Sequence, residues 1–119
     1  MRLLLASLLL TLSISAANLS GKWTGTFIDN AETSKHDGML LILKQDGNTL
    51  TGTVGPDATE QLPISNGKID GNNVIFDLKA EEVMVHFTLQ LVDNHLKGQG
   101  SAEVAGEKHS GNIDLTRAE

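Results

Sequence analysis

The chain has no cysteine. That removes disulfides, a thiol nucleophile and the lipid-attachment site of a bacterial lipoprotein. A domain this small must then be held together by its own core. Positive charge is also scarce, with nine Lys and Arg against fifteen Asp and Glu, a net of -6. Such a balance repels phosphate backbones and anionic headgroups, so no nucleic-acid or membrane-surface partner is expected. Helical periodicity is nearly missing, and so are the motifs of common chemistry. There is no Gly-x-Ser-x-Gly, no His-Glu-x-x-His and no phosphate-binding glycine loop. The histidines His36, His86, His95 and His109 are not spaced as metal pairs on one strand face. No cofactor, metal site or catalytic residue is therefore implied.

What is present begins with Met1, Arg2 and the apolar run LLLASLLLTLSI, followed by Ser15-Ala16-Ala17. The run is short of the ~20 apolar residues of a membrane span. Residues 1–17 read as a signal peptide cleaved after Ala17, which places the mature chain in a bacterial periplasm or outside the cell, with no membrane insertion after cleavage. Residues 18–119 have the size of one domain. Losing Arg2 brings its net charge to -7.

In that domain apolar and polar residues alternate, and turn residues punctuate them. Strands are expected over 23–28, 39–45, 49–55, 62–70, 73–80, 83–92, 95–103 and 108–116, the fourth kinked at Asn66-Gly67. Asp46-Gly47-Asn48, Asp70-Gly71-Asn72, Asp93-Asn94 and Ala105-Gly106 supply hairpin turns. The polar stretch 29–38 reads as the longest loop, and 56–61 as a break. Short turns between sequential strands describe an antiparallel meander, and closure removes its two exposed edges. The expected fold is all-β, an eight-stranded antiparallel up-and-down barrel with room inside for side chains or one small ligand.

The only tryptophan, Trp23, follows Gly21 at the start of the first strand. There it can plug one end of the barrel, with Arg117 of the last strand stacked on its ring. With Gly21, Trp23 and Arg117 in these places the sequence resembles the lipocalin-like, calycin-type barrels. It is more closely similar to small secreted bacterial barrel domains that read G-x-W-x-G and L-K-Q-D-G-x-x-L-x-G-T-V, here Gly21 to Gly25 and Leu43 to Val54. The resemblance implies the barrel fold and carries no activity.

The expected interior is Phe27, Leu41, Val54, Phe76, Val85, Phe87, Leu89, Ile113 and Leu115. Gly25, Gly52, Gly98, Gly100 and Gly111 share its phase. Inward glycines either leave space for a guest or let a small barrel coil sharply. The candidate lumen site is accordingly Gly25, Phe27, Gly52, Phe76, Phe87, Gly98, Gly100, His109 and Gly111, and its expected ligand is a small apolar molecule. A secreted protein-binding module such as a protease inhibitor, presenting the arm Asn18 to Ser20, is the alternative. A barrel isomerase or cyclase using His109 is a third class. On the outer face Ile28, Leu40 and Ile42 are expected to form one patch, a homodimer or partner surface, while Ile75 and Met84 also point outward.

Overall fold

The computed structural model describes residues 18–32, 34 and 36–118. The expected signal peptide lies outside the described residues. Eight strands follow one another: β1 (Gly21–Asp29), β2 (His36–Asp46), β3 (Thr49–Asp57), β4 (Glu60–Asp70), β5 (Asn73–Ala80), β6 (Val83–Val92), β7 (His95–Val104) and β8 (Glu107–Ala118). Each pairs antiparallel with the next, and β8 returns to β1 to close the barrel in up-and-down order. Closure pairs Trp23 with Arg117 and Phe27 with Ile113.

The strands outrun the sequence pattern, most at the start of β2 and across the expected break at 56–61. β2 begins at His36, β3 continues through Pro56 to Asp57 and β4 already starts at Glu60, so the break shrinks to residues 58–59. Residues 36–38 and 56–57 lack the apolar alternation that marks a half-buried strand, yet they are held by the ladders beside them. Turn chemistry accounts for the hairpins. Asp93-Asn94 and Ala105-Gly106 both have positive φ at the two turn residues, the backbone of a type I′ turn whose twist matches its strands. The kink at Asn66 is a bulge, with φ of 53° and a register shift between Ser65 and Lys68.

Alternation sends one side chain of each pair into the barrel. Leu41, Val54, Phe76, Phe87, Leu89, Ile113 and Leu115 are buried as expected. Phe27 and Val85 pack against this core while remaining partly exposed. Met39, Leu43, Leu50, Ile69, Val74 and Leu96 complete it. Each such side chain contributes roughly 1.5–3 kcal/mol on burial, which is how a chain without disulfides holds its shape.

The wall is regular except around β4. The β4–β5 ladder begins at Ile64–Leu78, although β4 starts at Glu60 and β5 runs on to Ala80. Above that pair the two strands separate, and Leu62, whose phase should point it inward, is 45% exposed. Pro63 sits on this free edge, where its missing N–H costs no ladder bond.

Candidate functional site

The barrel has two unlike ends. At one lie the start of β1, the β2–β3, β4–β5 and β6–β7 turns and the end of β8; at the other lie the remaining connections.

The first end is sealed. Trp23 and Leu19 are both fully buried. The indole Nε1 donates to the Leu19 carbonyl at 3.0 Å, and the Leu19 N–H donates to Gln45 Oε1 at 2.8 Å. The Arg117 guanidinium lies 4.4 Å from the indole centroid. Its nitrogens donate to the carbonyls of Ser20 at 3.1 Å and Asn18 at 2.9 Å. Gly21 explains the glycine before the tryptophan. It has φ of 131°, and a Cβ there would meet Arg117 Nη1 at 3.4 Å. Asn18 to Ser20 is therefore not a projecting arm: it is drawn across the barrel floor with Leu19 as part of the core.

The second end is open. A cavity of about 430 Å³ has an apolar wall of Phe27, Met39, Val54, Leu78, Val85 and Phe87, with Asp37 and Pro56 at its rim. The volume falls within the ~300–1,000 Å³ of small-molecule sites. Phe76, expected in the lumen site, is fully buried and stacks on Phe87 with centroids 4.7 Å apart, but it does not itself line the cavity. Where β4 leaves β5 a side groove of about 480 Å³ adjoins it, sharing Val54, Pro56 and Leu78 and adding Leu62. Gln61 fixes the hairpin that frames the groove: its Nε2 donates to the carbonyls of Asp57 at 2.9 Å and Leu40 at 3.2 Å, and Thr53 Oγ1 donates to its Oε1 at 2.6 Å. Asp57 caps the same turn, and the Thr59 hydroxyl foremost, with backbone N–H groups, holds its carboxyl below the usual range.

Of the candidate lumen residues, the structure brings Phe27 and Phe87 to the cup. The glycines have other surroundings. A Cβ on Gly25, Gly52 or Gly98 would overlap a carbonyl oxygen of the neighbouring strand, those of Asp114, Ile42 and Thr88. These are points of close backbone approach, the coiling role. The Phe27 ring covers Gly111, and the Phe87 ring lies 3.1 Å from where a Gly100 Cβ would stand. His109 stands exposed at the rim, its Nε2 3.8 Å from Glu107 Oε1. Met39, Leu78 and the side groove were missed by sequence reasoning. Met39 and Leu78 carried the signal of phase alone, and the groove depends on register.

On the outer wall His86 Nδ1 is 2.7 Å from Asp77 Oδ1, and Asn66 Nδ2 donates to Asp77 Oδ2 at 3.0 Å. The Asn66 amide first, then His86, holds the Asp77 carboxyl below its usual range. Ser101 faces His86 across the next ladder, so Asp77, His86 and Ser101 form one row. No hydrogen bond joins Ser101 to His86 among the described residues, and His86 is exposed. Nothing in the row activates the hydroxyl or shields a reacting group. No cluster of three or more His, Asp or Glu among the described residues is placed to hold a metal. Leu40 and Ile42 are half-buried beside Thr24 and Lys22, whereas Ile28 pairs with His36. Ile28 thus stands four residues along the strand from Leu40's partner, roughly 13 Å away, so the register divides the expected patch.

Compared with family models, curated proteins and solved structures, the chain matches none of them.

Proposed function

We propose that the protein is exported to a bacterial periplasm or beyond and binds a small apolar molecule in the cup at the open end of its barrel. The observation that carries this reading is the pairing of a sealed floor with an apolar mouth that no side chain among the described residues fills. A barrel selected only for stability gains from packing both ends. Here Phe27, Leu78 and Val85 keep apolar surface in contact with water, and their exposure costs stability unless something covers it. The leader read from Met1 to Ala17 supports export, and the cysteine-free core has no need of an oxidising folding pathway.

The cup suits retention or transport of a guest. Its lining is apolar, and the polar groups at the rim orient what enters without reacting with it. The test is titration of the mature chain from Asn18 with the neutral probe N-phenyl-1-naphthylamine. Saturable one-site binding with a blue-shifted probe emission is expected. A probe that stays in water at every protein concentration overturns the reading.

A further inference from the structure

Charge is unevenly distributed between the two ends of the barrel. Asp37 lines the cavity, on the strand residue that pairs with Phe27. Asp29 ends β1 in the same inward phase and is half-buried, its Oδ1 accepting from the Ala31 N–H at 2.8 Å. Every connection at this end adds carboxylates: Glu32 in the first, Asp57 and Glu60 around the second, Glu81 and Glu82 in the third, Glu107 closing the fourth. The cations near this end among the described residues are Lys79 and Lys108. Both stand on the outer face, paired with Met84 and Glu103. The sequence adds Lys35 in the first connection. The floor is different, with Lys22, Lys44, Lys68, Lys97 and Arg117 towards that end, near Asp46, Asp70, Asp93 and Asp114.

From this complementarity we infer that the cup takes cationic amphiphiles, molecules with an apolar tail and an amine or quaternary ammonium head, and rejects fatty-acid anions of the same tail. The inference rests on the binding reading above. The tail fills the wall of Phe27, Met39, Val54, Leu78, Val85 and Phe87, and the head stays at the water boundary beside Asp37. A carboxylate head in that place meets carboxylates and, among the described residues, no inward cation, and it loses water without a partner. The ring of like charge at the mouth also raises the local concentration of cations before contact.

The test is calorimetric titration of the mature protein at low salt with decyltrimethylammonium and decanoate, each below its micellar concentration, and with decanol below its solubility limit. Unchanged Trp23 emission at the sealed floor confirms that the fold persists. The expected order is cation, alcohol, anion, with about a tenfold or larger difference between the ends of the series. Raising the salt, which shortens the Debye length from ~10 Å at ~0.1 M to ~3 Å at ~1 M, narrows that difference, and Asp37→Asn narrows it at constant salt. Decanoate binding as tightly as the cation overturns the charge preference while leaving an apolar cup. A cation preference that ignores both salt and Asp37→Asn overturns the role of the rim. Failure of all three ligands to bind overturns the cup itself, and this inference with it.

Discussion

The two ends of this barrel are built from the same alternating strands and finish differently. At the floor the chain adds a turn of N-terminal backbone, a buried leucine, the only tryptophan and a stacked arginine, and every polar atom named there has a partner. At the mouth it adds acidic turns, and among the described residues apolar wall is left uncovered. The difference separates two tasks. The floor holds closure, because it ties β1, β2 and β8 to one another where the sheet meets itself. The mouth is free of that duty, and its exposed apolar wall is the reason we propose it as the binding end.

That separation can be broken most forcefully at the floor. Trp23→Ala removes the plug, the stacking surface of Arg117 and the donor to Leu19. It is expected to lower unfolding free energy by roughly 3–5 kcal/mol, read by denaturant titration. Near-native stability would dissolve the distinction between the ends. Gly98→Leu comes next. Its Cβ overlaps the Thr88 carbonyl, so the strands must part, and a loss of roughly 1–3 kcal/mol or more is expected by thermal melting. If Gly98→Leu melts like the wild type and only probe binding disappears, the glycine faced open space and the coiling role is wrong.

At the mouth the same logic predicts the reverse pattern. Val85→Trp fills the cup from β6 and should weaken N-phenyl-1-naphthylamine binding by about tenfold or more, ~1.4 kcal/mol, with the melting curve little changed. The smallest effect belongs to the outer wall. Asp77 has a lowered folded pKa, so its contribution is present above about pH 4 and is lost as pH falls through that lowered value. Asp77→Asn should therefore flatten the acid limb of stability below about pH 4, by ~1 kcal/mol or less for so accessible a pair. An unaltered limb would show that Asn66 and His86 add nothing to the wall.

Much of the floor was legible in the sequence because its parts are singular. One tryptophan, the glycine before it and an arginine near the last strand's end have few places to go once the sheet closes. The strands were legible for the same kind of reason: alternation from Val83 to Val92 and turn pairs such as Asp93-Asn94 leave little freedom. Leu19 escaped, since one leucine ahead of the first strand has no periodicity to reveal a buried role. The mouth was hardest to read. Whether Phe87 lies over Gly100, whether Ile28 neighbours Leu40 and where β4 parts from β5 all depend on register. Register is a relation between strands, set by bulges such as that at Asn66, and no single strand carries it. Glycine phase alone suggested space that the phenylalanine rings in fact occupy.

The claim that the mouth is the binding end and the floor is not can be tested residue by residue. Amide and methyl chemical shifts of the isotope-labelled mature protein, followed through titration with N-phenyl-1-naphthylamine, report on both ends at once. The predicted result is progressive, saturating shifts at Met39, Val54, Leu78 and Val85 with the amides of Phe27 and Phe87, and still resonances at Leu19, Leu96, Leu115 and the Trp23 indole. Shifts concentrated at the floor or on the outer wall, or none at the mouth under saturating probe, would contradict it.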